Sequence, residues 1–136
     1  MTIEIRQRLV AAAREAMAHS HSPYSHFRVG AALLGADGRV HAGTNVENAS
    51  YGLSICAERV AVFKAVSEGC RGFVAAAVVT DTDRPTPPCG ACRQVLQEFA
   101  PDLVIHLAGR GGDVETFRLS ELLPRPFDNF TPGEAP

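Results

Sequence analysis

The 136-residue sequence predicts an α/β protein, a three-layer α-β-α sandwich around a mixed five-stranded sheet. Three observations carry this. Helical and strand patterns follow the order α-β-β-α-β-α-β-β, which calls for a mixed sheet with helices on both faces. Phe73 to Thr80 is a continuous apolar run rich in β-branched residues, the pattern of an interior strand. The segment from Ser54 to about Glu68 is apolar almost all the way round, which marks a buried helix at the middle of the fold.

Each element has its own signal. Residues 3–18 place Ile5, Leu9, Ala12, Ala13 and Ala16 at helical spacing between arginines and glutamates, an amphipathic first helix. His19 to Ser25, with Pro23, breaks it and opens a loop. Phe27 to Leu34 reads as a strand, Ala36-Asp37-Gly38 as a hairpin turn and Arg39 to Gly43 as the paired strand. The polar stretch Thr44 to Leu53 is a loop of the kind that carries function. Ser54 is placed to cap the second helix and Gly69 to stop it. After the interior strand, the proline-rich Asp81 to Pro88 leads into a third helix from about Cys89 to Phe99. Leu103 to Leu107 and Val114 to Leu119 are the last strands, with a turn at Gly109 to Gly112 between them. Ser120 to Leu123 forms one helical turn before a tail over about 125–136, whose end is expected to be mobile.

The chain has the length of one domain, 1–136, with no internal repeat or linker. Its net charge of −2, from 13 basic and 15 acidic residues, offers no basic excess for a phosphate backbone, so nucleic acid is not an expected partner. No apolar run approaches the roughly 20 residues that span a bilayer. Glu4, Arg6, Arg8, Arg14 and Glu15 interrupt the N-terminal apolar positions, which do not read as a signal peptide. A cytoplasmic, reducing location is expected, where clustered cysteines point to metal or catalysis before disulfides.

Cys56-Ala57-Glu58 and Pro88-Cys89-Gly90-Ala91-Cys92 are the chemical core of the sequence. Cys56, Cys89 and Cys92 offer three thiolates, a soft donor set suited to tetrahedral zinc. Three protein ligands leave a position for water, whose pKa zinc lowers to roughly 7, and Glu58 stands close by to handle its proton. Both cysteine groups fall at predicted helix N-termini, where the helix dipole stabilises thiolates. Cys56 and Glu58 are two apart, so on a helix flank they diverge, although both can reach a site on the axis of an open helix end. Cys70, a candidate fourth ligand that would close the site, follows Cys56 by a helix about 20 Å long and is kept out by that distance. It reads as a small buried or partly exposed thiol. Arg59 is placed to hydrogen-bond a thiolate and draw charge from a zinc site of net charge −1. It is otherwise an ordinary surface arginine. A redox C-x-x-C pair and a structural zinc knuckle are the plainer alternatives. The first leaves Cys56 and Glu58 unexplained, and the second lacks a further ligand, because the five histidines show no suitable local pairing.

These motifs resemble the cytidine deaminase family, in particular its small homotetrameric branch with a Cys₃ zinc site. The resemblance runs through Pro23-Tyr24-Ser25, Phe27-Arg28-Val29-Gly30-Ala31-Ala32, Asn45 to Tyr51, Cys56 to Arg59, Phe63 to Gly69, Pro88 to Gln94 and Leu122-Leu123-Pro124. It implies one Zn²⁺ per subunit on Cys56, Cys89 and Cys92, with Glu58 catalytic. It implies that Phe27 packs on the pyrimidine, that Asn45 and Glu47 bind the ribose, and that Ala57 belongs to the substrate site. Tyr51 and Phe127 match aromatic positions that complete the pocket across subunit boundaries in a homotetramer with shared active sites. On the residues alone, a buried strand residue is the favoured reading of Phe27, and Asn45 and Glu47 are equally a solvated loop.

The implied reaction is hydrolytic deamination of cytidine and 2′-deoxycytidine to uridine and 2′-deoxyuridine, a step of pyrimidine salvage. Glu58 would move protons from water to N3 and then to the departing amine. Competing readings are deamination of a related cytosine nucleoside, such as an aminonucleoside antibiotic, and a non-catalytic zinc-stabilised assembly protein. A nucleotide-directed enzyme is disfavoured by the charge of Glu47 in the sugar subsite.

Overall fold

The computed structural model describes residues 2–128. It contains α1 (Ile3–Met17), β1 (Val29–Gly35), β2 (Val40–Thr44), a 3₁₀ turn (Tyr51–Leu53), α2 (Ala57–Ser67), β3 (Phe73–Thr80), α3 (Gly90–Phe99), β4 (Val104–Ala108), β5 (Val114–Arg118) and α4 (Leu119–Leu122). The strands form one sheet in the order β2-β1-β3-β4-β5. Only β3 and β4 run parallel, joined by the α3 crossover, and the other neighbours are antiparallel. This is the expected mixed five-stranded sheet between helical layers. The end of the expected tail, 129–136, lies outside the described residues.

Sequence periodicity explains both layers. The Thr2 hydroxyl caps α1 by accepting from the Ile5 N–H at 3.2 Å. Leu9, Ala13 and Met17, one helical repeat apart, bury against Ala32, Ala75, Ala77 and Val79 on one sheet face. The contact is close because β1 carries Gly30, where an added Cβ would lie 1.8 Å from the Ala13 carbonyl oxygen. On the opposite face, Ala57, Ala61, Val62 and Ala65 of α2 join Leu96, Leu103, Ile105 and Leu107 in the larger core. β3 supplies both cores, with Ala76 and Val78 on one side and Ala75, Ala77 and Val79 on the other, as an interior strand must.

Three sequence expectations are corrected. The cap of α2 is Cys56, not Ser54, because residues 51–55 are taken up by the 3₁₀ turn and by an antiparallel bridge between Val46 and Ile55. The apolar circumference of α2 is not wholly buried in one chain, since Phe63 is 49% exposed. β1 begins at Val29, which leaves Phe27 in the preceding loop instead of in the strand. Among the described residues no helix is long and apolar enough to cross a membrane.

Candidate metal centre

Two helix N-termini meet at the carboxyl end of β3. Cys56 caps α2 and Cys89 caps α3, both with extended backbone, while Cys92 sits in the first turn of α3. Their three sulfurs lie within 4.8 Å of one another. Cys56 Sγ is 3.9 Å from Cys89 Sγ, and Cys89 Sγ is 3.5 Å from Cys92 Sγ. Sulfurs bound at about 2.3 Å to one tetrahedral zinc ion stand about 3.8 Å apart, so the cluster fits zinc by spacing as well as by donor type.

The cap position also resolves how Cys56 and Glu58 converge. Cys56, with φ −69° and ψ 151°, is not on the helix, so the 100° helical step does not govern its side chain. Glu58 lies in the first turn and is buried, at 6% exposure. Burial, reinforced by the Cys56 thiolate, pushes its carboxyl up to about 7. Such a group exchanges a proton readily near neutrality.

Charge in the thiolate cluster is unevenly held. Cys56 is brought down to about 5, first by a hydrogen bond from the Cys92 thiol and then by Arg59, whose Nη2 donates to Cys56 Sγ at 3.3 Å. Cys92, buried and giving its proton to that bond, moves in the opposite direction. The thiolate in turn holds Arg59 above its ordinary range. Arg59 thus stands beside the sulfur cluster. Arg93 braces the other cysteine loop, donating to the Pro88 carbonyl at 2.8 Å and to the Leu122 carbonyl at 2.7 Å.

A pocket of about 390 Å³ opens over the cluster, lined by Cys56, Glu58 and Cys89 at one end and by Phe27, Asn45 and Glu47 elsewhere. This volume suits a small molecule. Asn45 is buried: its Oδ1 accepts from Ser20 Oγ at 2.5 Å and from Val29 N at 3.0 Å, and its Nδ2 donates to the Phe27 carbonyl at 2.7 Å. Among the described residues one amide hydrogen is left over. Glu47 Oε1 accepts the Tyr24 and Ser25 N–H groups at 3.0 and 3.1 Å, and Oε2 accepts the Ser25 hydroxyl. The Ser25 hydroxyl holds its carboxyl below the usual range, so Glu47 faces the pocket as an anion with acceptor capacity remaining.

The other expected site residues stand apart from this pocket. Ala57 is fully buried at the first position of α2, where its N–H is one of the groups a helix leaves without an internal partner. Tyr51 is 74% exposed, stacks edge-on against Tyr24 at 5.7 Å, and lines an adjoining opening with Ser25 and Glu47. Phe127 is exposed, and its backbone exchanges two hydrogen bonds with the Gln94 side chain. Neither aromatic lines the pocket of its own chain. Sequence reasoning missed Thr80, Thr86 and Pro87, which line the pocket from the end of β3 and the loop before Cys89. The proline-rich loop leading into a cysteine motif was the available signal. Cys70 stays out of the cluster, as the helix length required.

Residues 3–108 match the family described as cytidine and deoxycytidylate deaminase zinc-binding region. The chain is 56% identical over 123 residues to a cytidine deaminase of Halalkalibacterium halodurans, covering 90% of this chain and 93% of that protein. It is 47% identical over 127 residues to a probable cytidine deaminase of Dictyostelium discoideum, covering 91% and 84%. The crystal structure of cytidine deaminase from Burkholderia pseudomallei superposes with a TM-score of 0.87 at 48% identity, over 93% of this chain and all of that one.

Proposed function

Because the chain belongs to the cytidine and deoxycytidylate deaminase family, we propose that it hydrolyses cytidine and 2′-deoxycytidine to uridine and 2′-deoxyuridine, with release of ammonia, as a cytoplasmic enzyme of pyrimidine salvage. The reading takes residues 1–136 as one catalytic domain. The observation that carries it is the buried Glu58 carboxyl beside the three sulfurs, at the end of a pocket that also holds Phe27, Asn45 and Glu47.

Cys56, Cys89 and Cys92 hold one catalytic zinc ion per chain, and Arg59 takes charge from the Cys56 sulfur. When bound there, zinc would supply a water molecule activated as the nucleophile. Glu58 accepts a proton from that water and delivers it to N3 of the pyrimidine, which makes C4 electrophilic. Once the water oxygen has added to C4, Glu58 carries the remaining proton of that oxygen to the amine, so that the C4–N bond breaks, ammonia leaves and C4 becomes a carbonyl. A carboxyl poised near 7 suits both the accepting and the donating step. Phe27 offers an aromatic face to the base. The spare amide hydrogen of Asn45 and the spare acceptor of Glu47 meet the ribose hydroxyls, and the negative charge of Glu47 turns away a 5′-phosphate. Ala57 contributes its N–H at the open end of α2. Tyr51 and Phe127, exposed on the single chain, complete neighbouring pockets in a homotetramer.

Incubating zinc-loaded protein with cytidine, deoxycytidine, cytidine monophosphate and free cytosine, with absorbance and ammonia as readouts, tests this directly. Both nucleosides are expected to turn over, well ahead of the nucleotide and the base. Glu58→Gln is expected to keep zinc and lose several orders of magnitude in turnover, and near-normal turnover in that variant would sink the assignment of Glu58.

A further inference from the structure

Beyond the C-terminal end of α2, a second cluster of ligating side chains forms. The β1–β2 hairpin brings Asp37 and His41 to Cys70, so that one ligating atom from each lies within 4.8 Å of the other two. His41 is 5% exposed, and its Nε2 has no hydrogen-bond partner among the described residues, although Asp37 Oδ2 is 3.5 Å away. A buried ring nitrogen with only a carboxylate oxygen at 3.5 Å is weakly satisfied, which favours an ion that would bind it directly. Gly35 keeps open the space on which the three converge. A Cβ added there would lie 2.4 Å from Asp37 Oδ1, 2.6 Å from Cys70 Sγ and 3.1 Å from His41 Nε2.

The surroundings resemble the outer support of a metal site. Glu68 Oε1 lies 3.7 Å from His41 Nδ1, on the ring nitrogen opposite the cluster, where a carboxylate orients a ligating imidazole. Asp37 is oriented by Arg39, whose backbone N–H donates to Oδ1 at 3.0 Å and whose Nε donates to Oδ2 at 3.2 Å. The Arg39 side chain is exposed and free to yield Oδ2. The Cys70 thiol makes one long contact, 3.5 Å to the Gly72 carbonyl. A hollow of about 210 Å³ beside His41, flanked by Arg39, Lys64 and Glu68, gives access from solvent.

We propose that Asp37, His41 and Cys70 form a second divalent transition-metal site, suited to zinc, that clips the β1–β2 hairpin to the exit of α2. One sulfur, one imidazole nitrogen and one carboxylate oxygen, with water as the fourth ligand, form a mixed set that zinc accepts at tetrahedral geometry. The site is structural and stands at the other end of α2 from Glu58.

The test titrates metal-stripped full-length protein with zinc and with cadmium. Two metal ions per chain are expected. Because the three-thiolate centre contains no histidine, zinc X-ray absorption should show imidazole scattering only beyond the first equivalent. Cadmium NMR should show two resonances, a sulfur-rich one and one from a mixed donor set. His41→Gln and Cys70→Ser should each abolish the second equivalent and the second resonance, while the first resonance and turnover are kept. Saturation at one ion, or a second ion without imidazole scattering in the unaltered protein, overturns the site whether or not the variants fold.

Discussion

The Arg59 guanidinium lies 3.3 Å from the Cys56 sulfur, so the thiolate that begins α2 and the cation one turn along it form a charge-assisted contact within the metal centre. On the proposed function, a zinc ion held by the three thiolates would be anionic overall, and this contact would withdraw part of that charge. Arg59→Gln is therefore expected to lower turnover about ten- to a hundredfold, with KM little changed. Steady-state kinetics on protein of measured zinc content checks this, and unchanged turnover at full zinc occupancy would reduce Arg59 to packing.

Glu58 gives a pH dependence with a definite sign. Its native carboxyl sits at about 7, against an ordinary 4.5, so the native state holds its proton more tightly than the unfolded chain does. The raised carboxyl therefore destabilises the fold as pH rises: it costs nothing below about 4.5, progressively more between 4.5 and about 7, and a constant amount above. The full penalty is on the order of 3 kcal/mol. Thermal midpoints of the unaltered protein and Glu58→Gln should coincide at pH 4 to 4.5 and separate as pH rises, with the variant the more stable. A gap independent of pH would show that burial is not what raises the carboxyl.

Much of this was legible in the sequence, for physical reasons that also mark where legibility ends. The run Phe73–Thr80 could be placed at the centre of the sheet because both of its faces are apolar. The cysteines could be grouped because each of their two motifs falls at a helix start. The Cys56 cap was not legible, since it depends on the Val46–Ile55 bridge, a contact made by two loop segments. The exposure of Phe63 was hidden as well, because periodicity reports that a face is apolar and not what covers it. His41 and Cys70 showed no local pairing because a hairpin and a helix exit, distant in sequence, bring them together.

Asn45 and Glu47 should separate by their failures. Asn45 satisfies the Val29 N–H and the Phe27 carbonyl, so Asn45→Ala leaves buried groups unpaired at about 1–3 kcal/mol each and loosens the segment that carries Phe27. Both stability and activity should fall. Glu47→Gln keeps an oxygen for the Tyr24 and Ser25 N–H groups but loses acceptor capacity toward the sugar. With the Ser25 hydroxyl contact to Oε2 lost, its thermal midpoint should fall only slightly while KM rises. Calorimetry beside kinetics decides, and a large stability loss in Glu47→Gln would make it a loop anchor instead of a sugar contact.

Gly43 links the sheet to α2, the helix that carries Glu58. A Cβ there would meet the Ala61 nitrogen at 2.6 Å and the Ala57 carbonyl oxygen at 3.1 Å, both of them backbone atoms of α2. Neither can step aside without moving the helix that carries Glu58. Gly43→Ala should cost about 1–3 kcal/mol and reduce turnover out of proportion to any change in zinc content. Denaturant unfolding with metal analysis tests the pair of effects, and a stable, fully active variant would show that α2 has slack at this crossing.

The assembly proposal rests on what one chain leaves uncovered. Phe63 is 49% exposed, Leu53 65%, Tyr51 74% and Phe127 72%, large apolar groups that a neighbouring subunit would bury. If Tyr51 and Phe127 serve a neighbour's pocket, two inactive variants should rescue each other. Chains carrying Glu58→Gln retain both aromatics, and chains carrying Tyr51→Ala with Phe127→Ala retain Glu58. Mixed under conditions that let subunits exchange, they form some sites with an intact carboxyl from one chain and intact aromatics from another. Activity should therefore reappear on mixing, while sedimentation shows assemblies of several chains. No recovery despite demonstrated exchange, or full activity in a monomer of the unaltered protein, would confine both aromatics to their own chain.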